Sequence, residues 1–457
     1  MTSPNPPARL ASKGAIAGWL LFDWACQPFF TLVTTFVFAP YFASALAPDP
    51  VAGQSLWGYA TATAGLILAF LSPVLGSVAD ASGPKKPWIA GCGLVLVLAS
   101  AILWYARPGT SGAIPIALVG FAIGTIAVEI AAVFNNAMIP RLVPPERYGR
   151  LSGTGWALGY LGGLVSLLIV LGLLVPNRET GLTLFGIEPV FGLSAATREG
   201  DRITGPLSAA WFALFVLPMF LLTPDVPRSA LRLSEAAQQG WRQIKTTISD
   251  ARRHSGVGRF LIANMVYQDA LVALFAFGGI YGAGVFGWQA TELGLFGILL
   301  TITGTAGALI GGRLDDRFGA KPVIQGAVII LACVCFFILS LGPRHVLFVV
   351  ETAAPTAGGE LYETLPEKVF VALGLVIGAV AGPLQASSRS LLARLVPHQE
   401  AGRYFGLLAL SGKVTSFLAP LMVALATAVF QTQAAGPGIL ILFFMTGLWL
   451  LNGVRRV

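Results

Sequence analysis

Charge is what this chain has least of: Asp, Glu, Lys and Arg together make up 11% of its 457 residues, whereas 55% are hydrophobic. A soluble domain carries about 25% charged residues, so an ordinary water-facing surface is excluded. Histidines number three and cysteines four, and neither type clusters. Cys26, Cys92, Cys333 and Cys335 lie in apolar runs without the paired spacing of a zinc or redox centre, and they read as small core residues. His254, His345 and His398 fall in loops or at the ends of runs. Nothing here assembles a metal-dependent hydrolase or a nucleophile with its base, so neither an enzyme nor a cofactor is expected. The chain also lacks a G-x-x-x-x-G-K-[ST] phosphate loop, which leaves direct drive by ATP without support.

Apolar sequence takes the place of all this. Mean hydropathy is +0.77, and runs long enough to cross about 30 Å of hydrocarbon recur about twelve times. They cover roughly 15–40, 57–80, 88–106, 114–139, 152–175, 207–223, 259–285, 293–314, 322–342, 367–393, 404–430 and 436–454. The fold class expected is therefore an all-α, multi-pass membrane protein with twelve transmembrane helices. ASALA at 43–47 resembles a cleavage site, but the apolar stretch before it is too long for a signal peptide and carries Asp23, so a retained first helix is expected.

The net charge of +8 is decided by its placement. With the N-terminus in the cytoplasm, Lys85, Lys86, Arg141, Arg147, Arg150, Arg313, Arg317, Lys321, Arg394, Arg455, Arg456 and the basic stretch from Arg228 to Arg259 all fall inside. Arg107, Arg178, Arg198, Arg202, Arg344 and Lys368 fall outside, among acids such as Glu179, Glu199 and Glu351. Positive charge retained inside puts both termini in the cytoplasm, in a bacterial inner membrane, and gives nucleic-acid binding little support. Lipids and a small-molecule solute are the expected partners, and a monomer is expected.

Segment 224–257 is long, basic and amphipathic, with Trp241 and Ile244 beside Arg242, Lys245, Arg252 and Arg253. It reads as a tether between a bundle over 1–223 and another over 258–457, and its amphipathic part suits the anionic leaflet. The halves are related. GSVADASGPK at 76–85 aligns with GRLDDRFGAK at 312–321, and RLVPPERYGRLSG at 141–153 aligns with RLVPHQEAGRYFG at 394–406. A parallel duplication of six helices follows, giving two pseudo-symmetric six-helix bundles. In the first motif Gly76 and Gly312 permit close packing, Gly83 and Gly319 suit a positive φ, and Lys85 and Lys321 hold the turn inside. Asp80 and Asp316, with Arg141, Arg317 and Arg394 nearby, are expected to form a cytoplasmic latch between the halves.

These motifs resemble the major facilitator superfamily, whose loop between spans two and three carries G-x-x-x-D-x-x-G-x-K. FDWACQPFFTLVTTFVFAPYF at 22–42, NNAMIPRLVPPERYGRLSGTGWALGYLGG at 135–163 and GPLQASSRSLLARLVPHQEAGRYFGLLALSGKVTSFLAPL at 382–421 resemble its vacuole-effluxer-like branch. The resemblance implies a transporter whose spans one, four, seven and ten line a central cavity. Fungal members of that branch export amino acids from the vacuole, while most bacterial members have no assigned substrate. The chain departs from the branch at Cys26-Gln27-Pro28, where Asn-Ser usually follows DWA, and at Ala81, which replaces a basic residue.

Five ionisable groups fall within spans: Asp23, Glu129, Asp269, Arg389 and Lys413. Each costs roughly 2.5–3.5 kcal/mol on insertion scales and must face protein or a wet cavity. Asp23, Gln27, Thr31 and Thr34 form a polar stripe on span one, Glu129 aligns with Asn136, and Gln385 aligns with Ser388 and Arg389. Acids beside cations suit a zwitterion, so Asp23, Gln27, Thr31, Asn136, Tyr267, Asp269, Gln385, Arg389 and Lys413 are the expected solute contacts. Glu129 and Asp269 are the expected proton-coupling carboxyls. The competing reading is a structural pair of Asp23 or Asp269 with Arg389 or Lys413. Trp156 and Tyr160, amid glycines, read as packing residues, and Trp19, Trp57, Trp88 and Trp104 read as an interfacial belt. A small polar or zwitterionic solute moved by alternating access is the leading expectation. An exporter or flippase of amphipathic molecules is the alternative, and a non-transporting receptor comes third.

Overall fold

A backbone at bilayer depth has no water to bond, so a chain this apolar satisfies its amides within helices. A computed structural model describes residues 11–81, 84–136, 138–143, 148–177, 180–225, 249, 255–353, 361–395, 408, 411–412 and 415–454. Its helices are α1 (Lys13–Leu46), α2 (Pro50–Ala81), α3 (Lys86–Tyr105), α4 (Ala113–Asn136), α5 (Tyr148–Ile169, extended by Val170–Leu174), α6 (Glu199–Leu222), α7 (Ser255–Phe286), α8 (Ala290–Phe318), α9 (Ala320–Leu339), α10 (Leu365–Leu395), α11 (Leu418–Phe430) and α12 (Ala435–Asn452). Ten helices among the described residues are long and apolar enough to cross a membrane; α2 and the 13-residue α11 lie where the sequence places its second and eleventh spans. Large apolar side chains such as Phe70, Leu98, Leu221, Val429 and Leu442 are exposed, as lipid-facing positions require. A short hairpin pairs His345–Val346 with Val350–Glu351 in the long loop before α10.

Packing repeats with a period of six helices. Helix α1 packs on α5 and α6, α2 on α4, and α3 on α4 and α6; α7 packs on α11 and α12, α8 on α10, and α9 on α10 and α12. Each contact in the first six therefore has its counterpart in the second. The contacts between the two sets obey the same relation: α2 meets α11 as α8 meets α5, and α1 meets α7. This is the two-bundle architecture of a parallel duplication.

Individual bonds repeat too. Asn135 and Ser388 each lie six residues before an RLVP quartet. The Trp19 indole on α1 donates to the Asn135 carbonyl on α4 at 2.8 Å, and the Tyr267 hydroxyl on α7 meets Ser388 Oγ on α10 at 2.8 Å. Lys86 Nζ donates to the Phe220 carbonyl near the end of α6 at 2.8 Å, and Lys321 Nζ donates to the Asn452 and Val454 carbonyls at the end of α12 at 3.1 and 2.5 Å. In each half an ammonium caps the sixth helix, where the last carbonyls have no partner of their own and the dipole is negative. Asp225, just past α6, returns the contact by accepting from the Lys85 and Lys86 amides at 2.8 and 3.1 Å, which caps the start of α3.

Three expectations change here. Trp19 and Trp57 are core residues, 1% and 0% exposed; Trp57 stacks on Phe121 with centroids 4.0 Å apart, so neither belongs to a membrane-interface belt. Helix α6 starts eight residues earlier than hydropathy indicates, because its polar first turn satisfies itself: Arg198 forks onto Asp201 at 2.6 and 3.0 Å, and Arg202 reaches the Trp104 carbonyl. Helix α1 runs past residue 40 to Leu46 through widened turns in which amides bond five residues back, as Val37 does to Leu32 at 3.1 Å.

Candidate functional site

Residues 22–34, in the middle of α1, decide the geometry. Phe22, Ala25, Cys26 and Phe29 are buried, whereas Asp23, Gln27, Thr31 and Thr34 are half-buried on the intervening face. That face lies on a ladder of glycines in α5. Cβ atoms added at Gly155, Gly159 and Gly163 would meet Asp23 Oδ2, Gln27 Oε1 and Thr31 Oγ1 in turn. Three polar groups four residues apart thus sit on three glycines four residues apart, and the small residues let the helices close over them. Gly162, one position off the ladder, would touch the Trp24 carbonyl at 3.0 Å and its indole at 3.1 Å. Trp24 itself stacks on Trp211.

Asp23 has no hydrogen bond or ion pair among the described residues. Asp23 of α1 and Glu129 of α4 both lie within electrostatic reach of the Cys26 thiol. On the opposite bundle Arg389 is exposed and likewise unpaired among the described residues, with Tyr160 of α5 within its electrostatic reach. Trp156 and Tyr160 are 48% and 43% exposed, so the α5 glycines pack and the aromatics beside them do not. Helix α5 therefore turns one edge to the polar stripe of α1, Asp23 included, and carries an aromatic within reach of the cation of α10.

Asp269 stands apart. It is 4% exposed, and its Oδ2 accepts the Ala419 amide in the first turn of α11 at 2.9 Å, while Oδ1 has no partner among the described residues. A carboxylate at a helix N-terminus is stabilised by unpaired amides and the positive end of the dipole. Tyr267 is fully buried and spent on Ser388, Gln385 is half-buried, and Asn136 is exposed at the end of α4. Lys413 and Gly83 lie outside the described residues, as does nearly all of the 224–257 tether, and so do the side chains of Asp80 and Asp316 and the packing around Gly76 and Gly312.

At the face bearing the chain ends, one described ion pair runs within a half. Arg394 on α10 bonds Asp315 of α8 at 2.9 Å, Arg141 and Arg317 are exposed, and Gly319 turns between α8 and α9 with φ of +85°. Asp315, adjacent to the expected Asp316, is a residue that sequence reasoning passed over. Alignment with Ala79 in the first half gave it no repeat mark. Asn135 is a second: it is 1% exposed with neither side-chain amide atom partnered among the described residues, although its neighbour Asn136 shared the helical face of Glu129. Asn264 on α7, buried with its Oδ1 unpaired among the described residues, is a third.

Residues 45–456 match the family described as vacuole effluxer Atg22 like. The chain belongs to that family. This Atg22-like protein is 27% identical over 443 residues to an uncharacterized MFS-type transporter, YxiO of Bacillus subtilis, covering 95% of one chain and 93% of the other. It is 22% identical over 303 residues to autophagy-related protein 22 of Yarrowia lipolytica, covering 60% of this chain but 45% of that one, so it spans under half the length of the fungal relative. Among solved structures it resembles the nucleoside transporter NupG (TM-score 0.65, 14% identity, 97% and 100% of the two chains) and a D-xylose–proton symporter (TM-score 0.62, 16%, 97% of each). At these identities the structures establish the fold. The Atg22-like chain is an MFS-type transporter, a multi-pass membrane protein and not an enzyme. A small-molecule substrate and a lipid environment follow from that.

Proposed function

We propose that this transporter moves a small zwitterionic solute, amino acids or close relatives, by rocking its two bundles about a site between α1, α4, α5 and α10. One observation carries the reading: Asp23 on one bundle and Arg389 on the other are accessible, opposite in charge and unpaired among the described residues. Unpaired charges at bilayer depth are costly and mark a solute path. The solute ammonium meets Asp23, with Gln27 and Thr31 beside it, and its carboxylate meets Arg389 in a forked hydrogen bond. Tyr160 and Trp156 flank the space with apolar surface. Glu129 carries the coupling proton, and Asp269 anchors α11 as well as serving as a second coupling carboxyl.

Both termini lie on the cytoplasmic side of a bacterial inner membrane, a placement supported by the retained positive charge. Residues 1–223 and 258–457 are the rocking bodies, and 224–257 joins them. The deciding experiment is uptake and counterflow of labelled amino acids in proteoliposomes of purified protein. Saturable exchange abolished in Asp23→Asn and Arg389→Gln is expected. Undiminished exchange in both variants would place the solute elsewhere.

A further inference from the structure

The halves are sewn together at the face opposite the chain ends by neutral groups. Gln54, in the first turns of α2, donates from Nε2 to Thr427 Oγ1 on α11 at 2.8 Å and to the Gln433 carbonyl at 3.2 Å. Gln433, between α11 and α12, donates in return from Nε2 to the Pro50 carbonyl at 3.0 Å. Both glutamines are buried, at 1% and 4% exposure. Around them the backbones close without side chains. A Cβ at Gly58 of α2 would meet Pro420 of α11 at 3.1 Å, and one at Gly279 of α7 would meet Thr35 and Pro40 of α1.

Behind this clamp lies a void of about 40 Å³, walled by Phe36 of α1 and by Tyr281, Phe296 and Phe370 of the second half, with Gln54 as a polar wall. No charged side chain lines it among the described residues. Gln54 Oε1 is buried and accepts from no described residue. A Cβ on Gly278, also in the wall, would find no atom within 4 Å. A closed contact that strands an amide oxygen and leaves a gap beside it forgoes part of the stabilisation its three hydrogen bonds bring. Water or solute entering from the far face restores both the missing bond and the missing contacts. Closed and open states of such a contact stay close in free energy, as a surface that opens and shuts in each cycle requires.

We propose that Gln54, Thr427 and Gln433 form the far-face gate of the transport path, and that the aromatic void behind them is the collapsed outer vestibule. The proposal rests on alternating access as set out above, and it adds the residues that part and the space that they uncover. Opening breaks the Gln54–Thr427, Gln54–Gln433 and Gln433–Pro50 bonds together, because all three cross between the same two bundles.

Gly278→Cys supplies the probe, since the open space around that position accepts a thiol. Purified full-length protein in detergent is labelled with a water-soluble methanethiosulfonate, and modification is read by mass spectrometry at that cysteine alone. Gln54→Leu and Gln433→Ala, each added separately, are expected to raise the labelling rate about tenfold over Gly278→Cys. Gln431→Ala should stay within about twofold, because Gln431 is exposed and bonds the Ala428 carbonyl of its own helix. Labelling of both gate variants at the parent rate overturns the proposal, and so does an equal rise in Gln431→Ala. Thr427→Val, which removes one bond without changing bulk, guards against misfolding of the larger replacements and is expected to rise about threefold. No solute is needed for labelling. Faster labelling without amino-acid exchange in proteoliposomes keeps the gate and sinks the proposed solute, and exchange without faster labelling does the reverse.

Discussion

Adding one methyl group at a time to three glycines of α5 separates function from packing. At Gly155 the obstacle is the carboxylate end of Asp23; the next atoms, Asp23 Cγ and the Trp19 ring, stand at 3.5 Å, an ordinary contact. Gly155→Ala therefore leaves the helices where they are and turns the carboxylate aside by about 1 Å. Stability falls by less than about 1 kcal/mol, since a side chain rotates and no backbone moves. A displacement of that size at a binding constellation lowers transport by about ten- to a hundredfold. At Gly162 the obstacle is backbone, the Trp24 carbonyl at 3.0 Å, with the stacked indole behind it. Gly162→Ala has to push α1 from α5 by roughly 0.4 Å to regain van der Waals distance, at about 1–3 kcal/mol. Gly159→Ala, where Gln27 Oε1 stands at 3.3 Å, falls between and should be mild in both respects. The assay is amino-acid exchange in proteoliposomes beside thermal unfolding followed by intrinsic fluorescence. Gly155→Ala with parental exchange, or with a stability loss as large as that of Gly162→Ala, would refute the account of the stripe and its ladder.

Four further outcomes are expected. Glu129→Gln retains exchange at fixed pH but loses uptake driven by an imposed pH gradient; uptake that still follows the gradient removes Glu129 from coupling. Arg389→Gln lowers exchange of amino acids at least tenfold while leaving the corresponding carboxylate-free amines within about twofold, measured by competition. Tyr267→Phe destabilises by about 1 kcal/mol and Ser388→Ala by somewhat more, since Ser388 Oγ also donates to the Leu384 carbonyl at 2.7 Å; the double variant costs no more than Ser388→Ala, because the Tyr267–Ser388 bond is lost only once. Arg394→Ala strands the buried Asp315 carboxylate and costs about 1–3 kcal/mol in chemical unfolding, which Asp315→Asn recovers in part.

Hydropathy and the duplicated motifs were enough to read the helices and their division into two related sets, because both depend on local composition and on spacing along the chain. The stripe Asp23, Gln27, Thr31 was legible for the same reason. Its partner surface was not: Gly155, Gly159 and Gly163 announce a close contact, but nothing in the chain says which helix fills it. Trp19 and Trp57 show the same limit from another side. Tryptophan near the end of an apolar run suits a membrane interface or a core equally well, and only Phe121 and the Asn135 carbonyl, far along the chain, settle which. Asp315 and Asp316 differ by one residue and so by about 100° around the helix, a rotation that motif alignment does not resolve.

The clamp of Gln54, Thr427 and Gln433 contains no formal charge. Parting it moves none of its own through the electric field, whereas one elementary charge crossing the whole field would couple by about 2.3 kcal/mol per 100 mV. Nor does dissolved salt weaken it, as it weakens an ion pair. The clamp on the far side of this transporter is thus a joint indifferent to membrane potential and to ionic strength, and sensitivity of the cycle to either enters through charged groups elsewhere, such as the solute, the proton, Asp23, Glu129, Asp269 and Arg389.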